Sequence, residues 1–150
     1  MHMAWVRAVC GRLKSDFRYS ASIVYNNFPW PDLADDATGN KTLSAIETAA
    51  QGVLDARAQF PDATLADLYD PLSMPPALVK AHQQLDKAVD AAYIAAEKSA
   101  GRKVPTLTTD AERVAFLFER YHALTSLLPV ATANKPRRSR QARRTGRASD

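Results

Sequence analysis

Residues 41–128 carry apolar side chains at every third or fourth position, the period of a helix that buries one face. Three stretches follow this pattern: one stops before Pro61, one runs from Pro75 to Gly101, and one begins after Thr109. The predicted stripes are Leu43, Ile46, Ala50, Val53, Leu54 and Arg57; Leu78, Ala81, Leu85, Val89, Ala92 and Ala96; and Val114, Leu117, Phe118, Tyr121, Leu124 and Leu128. The pattern predicts a mainly α fold, a small bundle of about three main helices.

Residues 17–27 alternate between apolar and polar positions instead, as a β-strand does. Pro29 and Pro31 cannot donate to a sheet ladder, so the predicted strand ends near Phe28. Residues 2–12 predict one short helix ahead of it. Because a single strand is not stable alone, we expect this helix-strand remnant at the edge of the bundle, exposed or loosely packed.

Polar and proline-rich segments divide the chain further. Residues 32–40 predict a loop, and the capping boxes that begin at Thr64 and Thr109 predict helix starts. Residues 131–150 have no large apolar side chain and predict a disordered basic tail, because such a segment cannot offset its ordering entropy by burial. We therefore divide the chain into residues 1–31 (helix plus strand), residues 41–128 (helical domain) and residues 131–150 (tail).

The net charge of +4 is unevenly distributed. The segment from Lys135 to Asp150 holds seven basic residues and one acid, which leaves residues 1–134 at −2. A second basic cluster surrounds the predicted N-terminal strand, with Ser20, Ser22 and Asn26 available for polar contacts. Basic side chains of this kind bind phosphates, whereas the alternative is a solvated surface. The candidate DNA-binding residues are Arg7, Arg12, Lys14, Arg18, Arg137, Arg138 and Arg140.

Composition excludes several classes of protein. No apolar run approaches the roughly 20 residues that span a bilayer, so no membrane partner is expected. The basic N-terminus lacks the long apolar stretch of a secretory signal. The lone Cys10 allows no internal disulfide and fits a reducing cytoplasm, which is the expected location.

A search for catalytic chemistry finds little. The five glycines are scattered, so no Gly-rich turn for a nucleotide-like cofactor is predicted. His82, Asp86 and Asp90 share one predicted helix face, and Glu119 with His122 forms an i, i+3 pair. Both groups are more typical of solvated faces or helix–helix hydrogen bonds than of metal sites, which need further ligands. We predict no catalytic, cofactor-binding or metal-binding residue.

The order of short motifs along residues 2–128 is more specific than any one of them. The motifs are His2-Met-Ala-Trp5, Gly11-Arg12-Leu-Lys14-Ser-Asp16, Arg18-Tyr19-Ser20, Tyr25-Asn-Asn-Phe28-Pro-Trp-Pro31, Thr64-Leu-Ala-Asp67-Leu-Tyr69-Asp70, Met74-Pro75, Leu78, Lys80-Ala-His82, Leu85-Asp86, Ala88-Val89-Asp90, Tyr93 and Arg120-Tyr-His122-Ala-Leu124-Thr125. This order resembles the C-terminal part of MmeI-like DNA methyltransferases, which combine restriction and modification: the end of the target-recognition domain followed by the C-terminal helical domain.

The resemblance implies a parent enzyme that methylates adenine N6 with S-adenosylmethionine and also carries a nuclease domain. None of the family's nuclease, cofactor-binding or catalytic motifs matches a position here, so the resemblance implies no cofactor in this chain. Double-stranded DNA is the implied partner, and the upstream methyltransferase polypeptide is a further candidate. A start at Met1 within the recognition domain predicts a truncated or split gene.

Two hypotheses of different classes follow. The first is a non-catalytic C-terminal fragment of such a DNA methyltransferase, which contributes DNA contact and domain packing. The second is a free-standing small helical protein that binds a protein partner. The small side chains Ala81, Ala88, Ala92 and Ala96 on the long helix would suit the close helix–helix approach that the second hypothesis needs.

Overall fold

The computed structural model describes residues 1–126 and confirms a mainly α fold. The N-terminal part contains helix α1, a two-stranded antiparallel sheet and a π-helical turn; the remainder contains four helices. The elements are α1 (His2–Val9), β1 (Gly11–Leu13), β2 (Asp16–Arg18), the π-helical turn (Ala21–Tyr25), α2 (Ala37–Ala58), α3 (Leu65–Leu68), α4 (Pro76–Ser99) and α5 (Asp110–Thr125).

Helices α2 and α4 form an antiparallel pair with its own apolar cluster. Val53 and Ala56 of α2 pack with Leu78 and Ala81 of α4, and Leu68 of the short helix α3 covers them. Small side chains on both helices let the backbones approach closely. Prolines open α4, and a capping box opens α3, as the sequence predicts. The backbone of Gly101, with φ of 66°, ends the α4 segment.

A second apolar cluster joins the N-terminal part to α4 and α5. Trp5 of α1, Val24 of the π-helical turn and Phe28 pack against Tyr93 of α4 and Leu117 of α5. Met1, Val6, Leu107 and Phe116 complete the buried set. Residues 1–31 therefore contribute about half of this second cluster, and the prediction that they would be exposed or loosely packed is wrong.

The predicted strand over residues 17–27 is also wrong beyond Arg18. The chain instead folds Asp16–Arg18 back onto Gly11–Leu13 and then coils through Ala21–Tyr25. In the coil Val24 is buried, and the Trp5 indole Nε1 donates to the Val24 carbonyl at 3.0 Å. The Asn27 amide also donates to the carbonyls of Ser22 and Ile23.

Two helix boundaries and two of the predicted apolar stripes also differ from the prediction. Helix α1 ends at Val9, before the predicted residue 12, because Gly11 begins strand β1. Helix α2 starts at Ala37 inside the predicted loop, because the Asp36 carboxylate accepts the Gly39 amide as an N-cap. Four residues of the predicted stripes are exposed, namely Leu43, Leu54, Phe118 and Leu124. Leu128, also predicted to be in the core, lies outside the described residues.

The start of α2 depends on a close approach that only glycine permits. A Cβ on Gly39 would lie 1.8 Å from the Ala34 carbonyl oxygen and 2.9 Å from its carbon. We predict that Gly39→Ala lowers the free energy of unfolding by about 1–3 kcal/mol through overpacking. Gly52→Ala is the matched control in the same helix, because nothing lies within 4 Å of its added Cβ.

Chemical denaturation of both variants measures the difference. Gly52→Ala should raise the free energy of unfolding by roughly 0.5–1 kcal/mol, since alanine loses less conformational entropy on folding into a helix. Equal stabilisation by both substitutions would contradict the close approach between α2 and residue 34.

Candidate nucleic-acid interface

Strands β1 and β2 form a short hairpin that carries three of the candidate DNA-binding side chains. Its register pairs Gly11 with Arg18, Arg12 with Phe17, and Leu13 with Asp16. The register leaves a two-residue turn at Lys14 and Ser15, where Lys14 has φ of 58°. Hairpin turns of this length favour positive φ, which matches the twist of the strands. The turn places the Lys14 side chain at the exposed tip.

Arg12 and Arg18 lie on opposite faces of the hairpin, because neighbouring cross-strand pairs alternate. The Arg12 guanidinium lies 4.3 Å from the centre of the Phe17 ring, and it also donates to the Ser15 carbonyl at 3.4 Å. The aromatic face limits the mobility of this arginine and leaves its charge in solvent. Arg18 and Lys14 are exposed, and no ion pair engages them among residues 1–126.

Arg7 lies apart from these three side chains. It belongs to α1, and its guanidinium pairs with the Asp110 carboxylate of α5 at 2.5 Å. Asp110 also pairs with Arg113 at 3.4 Å. Arg7 therefore connects α1 to the start of α5, whereas Arg12, Lys14 and Arg18 lie on the hairpin, with Arg12 and Arg18 on opposite faces. The remaining candidates, Arg137, Arg138 and Arg140, lie outside the described residues.

Two hydrogen bonds to main-chain carbonyls attach the segment after the hairpin to the bundle. The Tyr93 hydroxyl of α4 donates to the Pro29 carbonyl at 3.0 Å inside the core. The Arg120 guanidinium of α5 donates to the Trp30 carbonyl at 3.0 Å. We call these two contacts the carbonyl clamp. Burial raises the pKa of Tyr93, so its hydroxyl remains a donor over the physiological range.

Glu97 holds the arginine of the carbonyl clamp in place. Its side chain is only 5% exposed, and it accepts from Arg120 and, through both oxygens, from Arg102 at 2.6 and 3.0 Å. Burial by itself raises the pKa of Glu97, but the hydrogen bonds and charges of the two arginines outweigh burial and leave the pKa below its usual value. The carboxylate is thus ionised in the folded protein.

This ionic network is absent from the predictions above, although the spacing of its charged residues indicates it. Asp90 and Glu97 are seven residues apart on α4, and Arg113 and Arg120 are seven apart on α5. Seven residues make two helical turns, so two parallel helices with this spacing can form two ion pairs. The structure contains both pairs, with Arg113 bonded to Asp90 at 2.7 Å and Arg120 to Glu97.

Different partners contact the three side chains of the possible metal site on α4, His82, Asp86 and Asp90. The His82 Nε2 lies 2.8 Å from the Tyr69 hydroxyl, Asp86 lies near the amino terminus, and Asp90 binds Arg113. Within residues 1–126 no cluster of three potential metal ligands forms. None of the helices in this part of the chain is long and apolar enough to cross a membrane.

The fold and site define a mainly helical domain, and the two hydrogen bonds of the carbonyl clamp attach a segment with a basic hairpin to it. The family model of the MmeI C-terminal domain matches residues 38–129, and the model of the MmeI target recognition domain matches residues 1–32. This chain therefore belongs to the MmeI family, as the order of its motifs indicated.

Two longer proteins resemble the chain. DNA methyltransferase A of Bacillus subtilis (strain 168) is 40% identical over 125 residues, which cover 83% of this chain and 12% of the relative. A solved structure of the Type IIL restriction-modification enzyme MmeI in complex with DNA is 49% identical, with a TM-score of 0.69. The match covers 84% of this chain and 15% of that one. The chain thus spans about an eighth of the curated relative.

The Tyr93 contact of the carbonyl clamp can be removed without changing the shape of the side chain. We predict that Tyr93→Phe lowers the free energy of unfolding by about 1–3 kcal/mol, because the buried Pro29 carbonyl loses its donor. Tyr121→Phe is the control, since the structure shows no hydrogen bond of the Tyr121 hydroxyl within residues 1–126. Urea denaturation measures both. Equal effects would show that the clamp does not stabilise the fold.

The ionic network predicts a specific loss of stability in acid. A carboxylate whose pKa is lowered by folding stabilises the protein above its unfolded pKa, here about 4.5, and stops doing so as the pH falls through the folded value. At neutral pH, Glu97→Gln should lower the free energy of unfolding by about 3–5 kcal/mol, because Arg120 then stays buried without its partner.

The difference between wild type and Glu97→Gln should therefore shrink as the pH falls below 4.5. Denaturation curves at several pH values measure it. Glu119→Gln, an exposed position on α5, is the control and should stay within about 0.5 kcal/mol of wild type. A difference for Glu97→Gln that does not change between pH 7 and pH 3 would contradict the role of the ionised carboxylate.

Proposed function

We propose that this chain is a non-catalytic, DNA-contacting part of an MmeI-like adenine-N6 DNA methyltransferase of a restriction-modification system. The helical bundle holds the basic hairpin, and the hairpin contacts double-stranded DNA. The observation that carries the proposal is the exposure of three basic side chains, Arg12, Lys14 and Arg18, on one short hairpin within the part that matches the target recognition domain. The MmeI structure in complex with DNA supports the same partner.

The shape of the hairpin suits a duplex. A two-stranded ribbon fits the major groove of B-form DNA, which is about 12 Å wide. Lys14 at the tip and Arg18 on one face would contact phosphates or base edges, because ammonium and guanidinium groups donate to both. Arg12 is already ordered on Phe17, so it would lose less conformational freedom on binding than a mobile arginine would. Arg7 would contribute less, since Asp110 neutralises it.

S-adenosylmethionine would bind elsewhere in the parent enzyme. The glycine-rich turn that admits such a cofactor follows a strand and opens a helix. In residues 1–126 the glycines occupy other places: Gly11 lies in the hairpin, Gly39 and Gly52 lie in α2, and Gly101 follows α4. These positions do not fit the cofactor, so we assign no step of methyl transfer to this chain. The cytoplasm is the proposed location.

The alternative, a free-standing helical interaction module, loses its main support. Of the alanines that would face a partner helix, Ala81, Ala92 and Ala96 are buried within the chain itself, and Ala88 is half-buried. The close helix approach predicted from these side chains occurs, but its partners lie in the same polypeptide. We therefore favour the DNA-contacting function.

The salt dependence of DNA binding tests the proposal. Each phosphate that the protein neutralises contributes about −0.9 to the slope of log affinity against log salt on duplex DNA. The double substitution Arg12→Ala and Arg18→Ala should flatten the slope by roughly one unit for each phosphate that is no longer neutralised. Deletion of residues 135–150 should flatten it by several units, and should leave the melting temperature unchanged because this segment has no large apolar residue. Fluorescence anisotropy with duplex DNA measures the slopes.

The control removes the same charge from the helical bundle. Lys41 and Lys87 are exposed on α2 and α4, and no ion pair involves them among residues 1–126. The double variant Lys41→Ala and Lys87→Ala should change the slope less than the hairpin variant does. A chain without measurable affinity for duplex DNA at low salt, or equal slopes for all these variants, would refute the DNA-contacting function.

A further inference from the structure

An open apolar groove lies at the end of the bundle where α2 leads into α3. Its volume is about 360 Å³, and its walls include Leu54 of α2, Phe60 of the connecting loop and Leu65 of α3. Leu54 and Leu65 are 52% and 56% exposed. Residues 1–31 pack elsewhere, against α4 and α5 near Tyr93, so the groove belongs to the part that matches the C-terminal domain.

The chain that forms the groove is acidic. Residues 42–79 contain five acidic side chains and one basic side chain, which gives this segment a net charge of −4. Asp55, Asp62 and Asp67 are exposed, and each is adjacent in sequence to a residue that lines the groove. In residues 1–126 none of these three carboxylates takes part in an ion pair. We call these three carboxylates the acidic rim.

An apolar groove with an acidic rim suits arginine better than it suits a purely apolar side chain. The methylene stem of an arginine covers apolar surface while its guanidinium stays at the polar edge. The guanidinium also donates to a carboxylate in a planar, two-pronged geometry. A segment with several arginines therefore matches both properties of the groove.

This chain contains such a segment, and it is long enough to reach the groove. Two ion pairs, Asp90 with Arg113 and Glu97 with Arg120, show that α5 runs parallel to α4. Leu68, which lines the groove, packs at the start of α4, so the groove and the end of α5 lie at opposite ends of α4. The 24 residues of α4 span roughly 36 Å.

An extended chain covers about 3.3 Å per residue, so roughly eleven residues after Ser126 bridge this distance. The arginines at positions 137, 138, 140, 143, 144 and 147 lie at or beyond that point in the sequence. The segment from residue 135 to residue 150 has a net charge of +6, opposite in sign to that of the groove segment.

We propose that residues 135–150 fold back into the α2–α3 groove of their own chain and leave it when duplex DNA binds. The inference rests on the proposed function, in which the same arginines contact DNA phosphates. The groove and the DNA then compete for one cationic segment. The apparent affinity for DNA falls in proportion to the fraction of chains whose segment is free.

Charge disfavours two other occupants of the groove. The phosphates of duplex DNA would be repelled by the acidic rim, because like charges at an interface oppose association. A second copy that presented the same groove would bring two acidic surfaces together and would be repelled for the same reason. The contact with residues 135–150 is itself weak, since exposed ion pairs are screened by salt, so the melting temperature does not depend on it at moderate salt.

The contact can be tested without DNA by comparing the full 150-residue chain with a chain that lacks residues 135–150. At low salt the backbone amide NMR resonances of Leu54, Asp62 and Leu65 should differ between the two chains. The differences should disappear in about 1 M salt, where the Debye length is near 3 Å. The amides of Trp5 and Leu117 in the second apolar cluster are the internal control and should not differ.

Duplex DNA provides the second part of the test. DNA added to the full chain should move the groove resonances toward those of the shortened chain. The double variant Asp55→Asn and Asp62→Asn should raise the affinity of the full chain for duplex DNA by roughly threefold more than a control pair does. The control is Asp35→Asn with Glu119→Gln, which removes the same charge from exposed positions away from the groove. In the shortened chain the two pairs should have equal effects.

Identical groove resonances in the two chains at low salt overturn the inference, and so does a groove variant that behaves like the control pair. Resonance differences that shrink on dilution of the protein overturn it too, because the segment then binds a second copy. A shortened chain whose groove resonances move when DNA is added shows that the groove binds DNA itself, which contradicts the inference. Groove differences in a chain without affinity for duplex DNA refute only the DNA-contacting function, so the two failures are distinguishable.

Discussion

The carbonyl clamp determines how the two parts of this chain fit together. Tyr93 and Arg120 donate to the consecutive carbonyls of Pro29 and Trp30. These carbonyls lie near the end of residues 1–32, which match the target recognition domain and are called the recognition-like segment below. Both donors project from long helices, so the segment has a fixed position relative to the bundle. Glu97 fixes Arg120 in turn, and Arg102 completes the pairing of the carboxylate. The position of the basic hairpin therefore depends on a carboxylate far from it in sequence.

A buried ion pair is a costly way to connect two segments, since the desolvation of both charges offsets much of their attraction. Its advantage here is geometric. An apolar contact between α5 and the Trp30 segment would allow sliding, whereas a guanidinium shared between a carboxylate and a carbonyl requires one orientation. The surrounding apolar cluster buries apolar surface, and the ionic network fixes the orientation of the Trp30 segment relative to α5. We infer that the network contributes more to a unique position of the hairpin than to the total stability.

Periodicity and local capping signals together were sufficient to predict the main helices but not the path of the N-terminal part. The capping residues Thr64 and Thr109 and the prolines before α4 act locally, so the sequence shows them directly. Residues 19–25 alternate as a strand would, yet they coil, because Trp5 binds the Val24 carbonyl across nineteen residues. The same limit applies to the site. The basic residues are visible as a cluster, but only the structure separates Arg7, which pairs with Asp110, from the hairpin residues.

Beside the apolar cluster and the Arg7–Asp110 ion pair, hydrogen bonds to main-chain carbonyls attach the recognition-like segment to the bundle. Tyr93 donates to the carbonyl of Pro29 and Arg120 to that of Trp30, whereas the hydrogen bond from Trp5 to the Val24 carbonyl lies within the segment itself. A carbonyl is present whatever the side chain, so these hydrogen bonds constrain the path of the segment more than its sequence. On the hairpin, Phe17 packs against the apolar cluster, whereas the exposed Arg12 and Arg18 take no part in the attachment among residues 1–126. Substitutions of Arg12 and Arg18 would therefore leave the hydrogen bonds from Tyr93 and Arg120 in place.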